Sequence, residues 1–81
     1  MTDRKEYITS KIYTQLACKE ARNKTEERIF SFLDSDNCYI IYDYGYGVLY
    51  FEPICHANIP LYFKNWVKKW CNRNGYNILT K

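Results

Sequence analysis

The eighteen residues from Asn58 to Gly75, NIPLYFKNWVKKWCNRNG, constrain the fold more than any other stretch. Apolar side chains fall at Ile59, Tyr62, Phe63, Trp66, Val67, Trp70 and Cys71, the i, i+3, i+4, i+7 spacing of one helical face. Lys64, Asn65, Lys68, Lys69, Asn72 and Arg73 fall on the other face. Asn58 is the expected cap, Pro60 suits a first turn where its missing N–H does no harm, and Gly75 suits the left-handed position that ends a helix. The rest of the chain must therefore offer a surface to an aromatic stripe, with Trp66 and Trp70 in the core.

At 81 residues the sequence is sized for one domain, spanning 1–81. A chain of this length buries only about 60% of its unfolded surface, so large rings matter to its stability. Nine tyrosines are many for the length. Tyrosine packs on its ring and hydrogen-bonds through its hydroxyl, so it serves half-buried sheets and interfaces alike. The first ten residues, MTDRKEYITS, carry no apolar signal core, and no apolar run is long enough to span a bilayer. A cytoplasmic location with no membrane partner is expected, and host cytoplasm if the protein is viral. There Cys18, Cys38, Cys55 and Cys71 stay reduced.

The net charge of +3 hides a strong polarity. Residues 34–59 hold Asp34, Asp36, Asp43 and Glu52 and no lysine or arginine, whereas residues 60–81 hold Lys64, Lys68, Lys69, Arg73 and Lys81 and no acid. A basic helix face of that kind steers acidic partners.

Taken in order, residues from Asp3 to Arg22 read as a first helix, with Ile8, Ile12, Tyr13, Leu16 and Ala17 on one side and Cys18 toward solvent. A break follows near Asn23. The segment ERIFSFL, Glu27 to Leu33, fits two patterns. As a helix it has Asn23 and Glu26 as a capping box and Ile29, Phe30 and Leu33 inward. As a strand it has alternating β-formers, and Asp34 to Asn37 then makes a short turn, which favours the strand. Cys38–Tyr44 and Val48–Ile54 read as a hairpin joined at Gly45-Tyr46-Gly47 by a two-residue loop. Its clean core face holds Cys38, Ile40, Tyr42, Leu49 and Phe51. Its mixed face holds Tyr39, Ile41, Asp43, Val48, Tyr50 and Glu52. Pro53 ends the pairing, and Tyr76 to Leu79 reads as a short edge strand or an apolar tail. The expected class is α+β: a three-stranded antiparallel sheet with two helices on one face, in the order α-β-β-β-α.

Motifs that carry chemistry are scarce. The cysteines lie 20, 17 and 16 residues apart, without the close ligand pairs of a zinc site, so neither a metal nor another cofactor is expected. Cys55 beside His56, ahead of a helix N-terminus, is the best thiol-enzyme candidate, with Glu52 the nearest residue to serve as the third, orienting group. Phosphate-cradling glycine motifs are missing. A non-enzymatic protein is expected.

The α-β-β-β-α order is similar to that of the double-stranded-RNA-binding domain, a shape-reading module that grips phosphates with its last helix. The likeness lies in element order. That family's lysine cluster opens the last helix, where this chain has Asn58-Ile59-Pro60-Leu61, and its glycine-rich lead-in is missing. The resemblance implies nucleic-acid binding through the basic helix face, which stands as the second expectation. The first is binding to a protein complex, through Tyr39, Ile41, Tyr46 and Tyr50 on the hairpin and Lys64, Lys68, Lys69 and Arg73 on the helix. Tyr76 to Leu79, or a second copy of the chain, is an alternative cover for the tyrosines. In size and composition the chain resembles phage and mobile-element accessory proteins, many of which inhibit a host or defence complex in the manner of anti-CRISPR proteins.

Overall fold

The computed structural model describes residues 4–35, 37–54 and 58–78. The chain runs β1 (Lys5–Tyr7), α1 (Thr9–Ala17), α2 (Lys24–Asp34), β2 (Cys38–Asp43), β3 (Val48–Pro53) and α3 (Leu61–Arg73). The strands form one antiparallel sheet in the order β1-β2-β3. The α+β class and the three-stranded antiparallel sheet are those expected. The order differs. Among the described residues it is β-α-α-β-β-α with three helices, not α-β-β-β-α with two, and the likeness to the double-stranded-RNA-binding domain falls with it.

Two local competitions explain the change. The helical pattern extends over Lys5–Tyr7, but this stretch pairs with β2 in the register Lys5↔Asp43, Glu6↔Tyr42, Tyr7↔Ile41. An isolated hairpin is marginal, and a third strand gives β2 partners on both edges. The junction is closed by main-chain and side-chain bonds: Ile8 donates its N–H to Ile40 O at 2.9 Å, and Thr9 Oγ1 accepts the Ile40 N–H at 2.7 Å. The segment preferred as a strand, Glu27–Leu33, lies inside α2. Asn23 Oδ1 accepts the Glu26 N–H at 2.7 Å, and Glu26 Oε1 accepts the Asn23 N–H at 3.0 Å, a complete capping box. Glu26 and Glu27 also sit in the first turn, beside the positive end of the helix dipole.

Between α1 and α2 one arginine does several things. Arg22 Nη1 donates to Leu16 O at 2.8 Å, a carbonyl of the last turn of α1, and Nε donates to Glu27 at 3.0 Å. Its guanidinium lies 4.2 Å over the Phe30 ring. Lys19 pairs with Glu26 close by.

The hairpin keeps both expected faces, with Cys38↔Pro53, Ile40↔Phe51 and Tyr42↔Leu49 on the inner one. Its loop is longer than the expected two residues. Asp43 pairs with Val48, leaving Tyr44 to Gly47 between them. The buried Asp43 carboxylate accepts the Gly45 N–H at 2.8 Å, and Gly47 closes the turn at φ 64°, bonding to Asp43 O at 2.8 Å.

One core cluster joins the inner sheet face to all three helices. It contains Ile8, Ile12 and Leu16, then Ile29 and Leu33, then Cys38 and Ile40, and finally Phe63, Val67, Trp70 and Cys71. Phe63 meets Phe32 with ring centroids 4.6 Å apart and Phe51 at 6.2 Å. α3 starts later than expected: Pro60 occupies the cap position in an extended conformation, and Asn58 lies before the helix. Trp66 is only partly buried, and Tyr62 is exposed under the Arg28 guanidinium, 4.3 Å from its ring. Gly75 takes the left-handed position as expected, at φ 88°. Tyr76 N–H then reaches Cys71 O at 2.9 Å, and Gly75 N–H reaches Asn72 O at 3.5 Å, a Schellman ending.

Residues Tyr76–Ile78 form a tail, not a strand, and Leu79 lies outside the described residues. Tyr76 and Ile78 pack on the core, and Tyr42 Oη donates to Asn77 O at 2.5 Å. Glu6 anchors this tail from β1: its carboxylate pairs with Lys11 and accepts the hydroxyls of Tyr44 and, at 3.1 Å, Tyr76. The hydrogen bond from Lys11, followed by that from Tyr44, holds the Glu6 carboxyl below its ordinary value of 4.5, while Tyr44 is pushed up to about 12 by the same carboxylate. Lys19 and the Asn23 backbone lower Glu26 in the same way. A carboxyl lowered in the folded state binds its proton more readily when unfolded. Its stabilisation is therefore complete above the ordinary 4.5 and is lost as pH falls through the lowered folded value. Thermal melts should fall in temperature as pH drops below about 4.5, and Glu6→Gln should flatten that fall; an unchanged slope would remove Glu6 from the account.

Candidate functional site

The outer face of the sheet carries the most concentrated exposed aromatic surface. Side chains alternate along a strand, so the inner position of Ile40 puts Tyr39 and Ile41 outward. The register sets Tyr7, Ile41 and Tyr50 abreast across the three strands, with Tyr39 diagonal to Tyr7. Tyr7, Tyr39 and Tyr50 are 58%, 48% and 41% exposed, whereas Ile41 between them is 6% exposed. The Tyr7 and Tyr39 rings meet edge to face at 5.8 Å, and Lys5 Nζ lies 5.6 Å over the Tyr50 ring. Glu52 stands opposite Tyr39. The face therefore has an aromatic middle and an aliphatic floor, with Lys5 and the acids Asp43 and Glu52 toward its ends.

Of the residues expected at a binding site, Tyr39, Ile41 and Tyr50 come together here, with Ile41 as floor. Tyr46 stands apart on the hairpin loop, exposed to solvent. Tyr7 is not among the expected residues, because its stretch reads as helix; the local hint is the β-forming pair Tyr7-Ile8. Lys64, Lys68, Lys69 and Arg73 lie elsewhere. α3 puts Phe63 against Phe51, whose ring belongs to the inner sheet face, so the helix and the tyrosines occupy opposite sides of the sheet. They do not make one surface.

On α3 the cations form two i,i+4 rows, Lys64–Lys68 and Lys69–Arg73, flanking Leu61, Asn65 and Asn72. Lys64 is half-buried with Nζ 6.0 Å over Phe51. Among the described residues none of the four makes an ion pair. Each like-charge row costs about 0.2–0.5 kcal/mol of helix stability.

A cleft of about 520 Å³ adjoins the tyrosine face, lined by Tyr7, Tyr39, Tyr13, Leu33 and Asp34 with the hydroxyl residues Thr9 and Ser10. The Asp34 carboxylate accepts the Tyr13 hydroxyl at 2.8 Å.

The thiols offer no nucleophile among the described residues that can be recognised by its environment. Burial pushes Cys38 up to about 11 and Cys71 up to about 12, away from the thiolate that attacks. Cys18 is exposed, as expected. Cys55 and His56, the thiol-enzyme candidate, lie outside the described residues. Among the described residues no cluster of three or more His, Cys, Asp or Glu side chains is placed to hold a metal ion, and no helix is long and apolar enough to cross a membrane. No family model, curated protein or solved structure matches the chain.

Proposed function

We propose that this chain is a small binding protein that docks on a protein partner through the outer face of its sheet. The carrying observation is the group of Tyr7, Tyr39 and Tyr50 held exposed around Ile41. An antiparallel sheet that only faces water alternates apolar side chains inward with polar ones outward. Here the outward positions around the central Ile41 are tyrosines. Tyrosine gives large amphipathic contact area at low side-chain entropy cost, which is why it anchors interfaces. The consequence we assign is occlusion: by covering a working surface of a host or defence complex, the chain inhibits it. Its size and its lysine-, asparagine- and tyrosine-rich composition support that reading.

The test is affinity capture from source-cell extract with three baits. Wild type and Lys68→Glu/Arg73→Glu should retain the same partner, and Tyr39→Ala/Tyr50→Ala should lose it with an unaltered melt. Retention by the tyrosine variant would overturn the assignment. Sedimentation of the purified chain separates a foreign partner from a second copy, because self-association through this face would vanish in the same variant.

A second reading, direct nucleic-acid binding, is favoured by one observation: α3 keeps two like-charged rows despite their local cost. It predicts that duplex binding weakens steeply with salt and disappears in Lys64→Glu/Lys68→Glu/Arg73→Glu. Under the protein-docking reading, that triple variant leaves duplex binding as weak as in wild type.

A further inference from the structure

We propose that the cleft at the end of the tyrosine face is an arginine pocket, which receives a guanidinium side chain presented by the protein partner. This rests on the reading of the sheet face as the docking surface, because Tyr7 and Tyr39 belong to both.

Three sources of negative potential converge on the cleft. The first is aromatic. Tyr7 and Tyr39 stand edge to face at an interplanar angle of 82°, and the Tyr13 ring is backed by Phe30, stacked at 4.9 Å. Ring faces attract cations through their quadrupoles, and three rings around one space form the kind of cage that holds organic cations. The second is Asp34, the only charged side chain among the described residues that line the cleft. Its Oδ1 is held by the Tyr13 hydroxyl at 2.8 Å, which orients the carboxylate.

The third is the end of α2. Asp34 is the last residue of that helix, and the last turn carries no basic residue. A carboxylate there stands against the negative end of the helix dipole, a position that disfavours acids and favours cations. A guanidinium in the cleft would relieve both the helix end and the carboxylate.

Arginine fits better than lysine. Its planar group stacks on rings while its N–H fork bonds a carboxylate, whereas an ammonium is a compact, strongly hydrated point charge. The same chain already lays guanidinium groups on rings twice, Arg22 on Phe30 at 4.2 Å and Arg28 on Tyr62 at 4.3 Å. The cleft volume exceeds one side chain and leaves room for the flanking backbone of a partner segment. Continuity with the sheet face selects a protein side chain over a free small cation as the occupant.

The experiment is an NMR titration of the full chain with Nα-acetyl-arginine amide, and with its citrulline and lysine counterparts. The arginine probe should shift the ring signals of Tyr7, Tyr13 and Tyr39 saturably at millimolar concentration. Citrulline, nearly isosteric but neutral, should bind at least about tenfold more weakly, and Asp34→Asn should weaken arginine by a similar factor. Equal shifts from arginine and citrulline, or none from either, would overturn the pocket. Tyr50→Ala, outside the cleft, keeps the two ideas separable. If it abolishes partner capture while the arginine probe leaves the rings unmoved, the sheet face stands and the pocket fails. If arginine binds and Tyr50→Ala captures the partner normally, the docking reading fails and the pocket is a free cation site.

Discussion

Phe63→Ala is expected to bring the chain to the edge of unfolding at room temperature. The ring is fully buried and is gripped from two sides, by Phe32 of α2 and Phe51 of β3. Removing it subtracts the transfer free energy of a benzyl group and leaves a cavity that three separate elements would have to close together. The cost is about 3–5 kcal/mol. An 81-residue domain sits toward the low end of the usual range of about 5–15 kcal/mol, so little stability remains. Urea unfolding followed by tryptophan fluorescence should show the loss as a midpoint near zero denaturant. Trp66→Ala is the informative control. Trp66 lies on the same helix stripe but is only partly buried, so its loss should be smaller. A Phe63→Ala protein that melts like wild type would contradict the packing of α3 on the sheet.

Tyr39→Ala/Tyr50→Ala should do the reverse, abolishing partner binding while sparing the fold. Both rings are more than two-fifths exposed, so their truncation removes little core packing. Tyrosines at the centre of an interface commonly cost about 2 kcal/mol or more each on truncation. Two of them together amount to roughly a thousandfold loss of affinity. Ile41, the floor between Tyr7 and Tyr50, is a poor choice of variant because its burial mixes stability with binding. The measurement is a paired one, affinity beside melting temperature. A parallel fall in both would mean that the rings act as covers of the sheet and not as anchors.

How much of the fold is legible in the sequence depends on pattern length. α3 shows its stripe over thirteen residues and ends at a glycine, so its period is unambiguous. The hairpin alternates over six residues in each strand, and that alternation alone assigns both of its faces. ERIFSFL is too short to choose. Apolar residues at 29, 30, 32 and 33 satisfy helical and strand spacing together. What decides it is the capping box at Asn23 and the contact of Phe32 with Phe63, about thirty residues away. Lys5–Tyr7 has only three residues, and its conformation comes from pairing with β2 across the intervening helices. No local signal announces that.

The candidate site follows the same division. Tyr39, Ile41 and Tyr50 share a face by alternation alone. Tyr7 joins them only through a strand too short to carry a pattern. Whether the cations of α3 share a surface with the hairpin tyrosines depends on which side of the sheet α3 packs, and helix periodicity does not encode that. The expected acidic pole is also weaker than the composition implies, because Asp43 is buried at the hairpin turn and Asp34 is bonded to Tyr13.

Hydroxyl-radical footprinting of the captured complex, read residue by residue against the free chain, tests the central claim most directly. The docking account predicts that Tyr7, Tyr39 and Tyr50 become protected while Leu61 and Tyr62 on α3 stay as reactive as before. Protection confined to α3, with the sheet tyrosines still reactive, would contradict it.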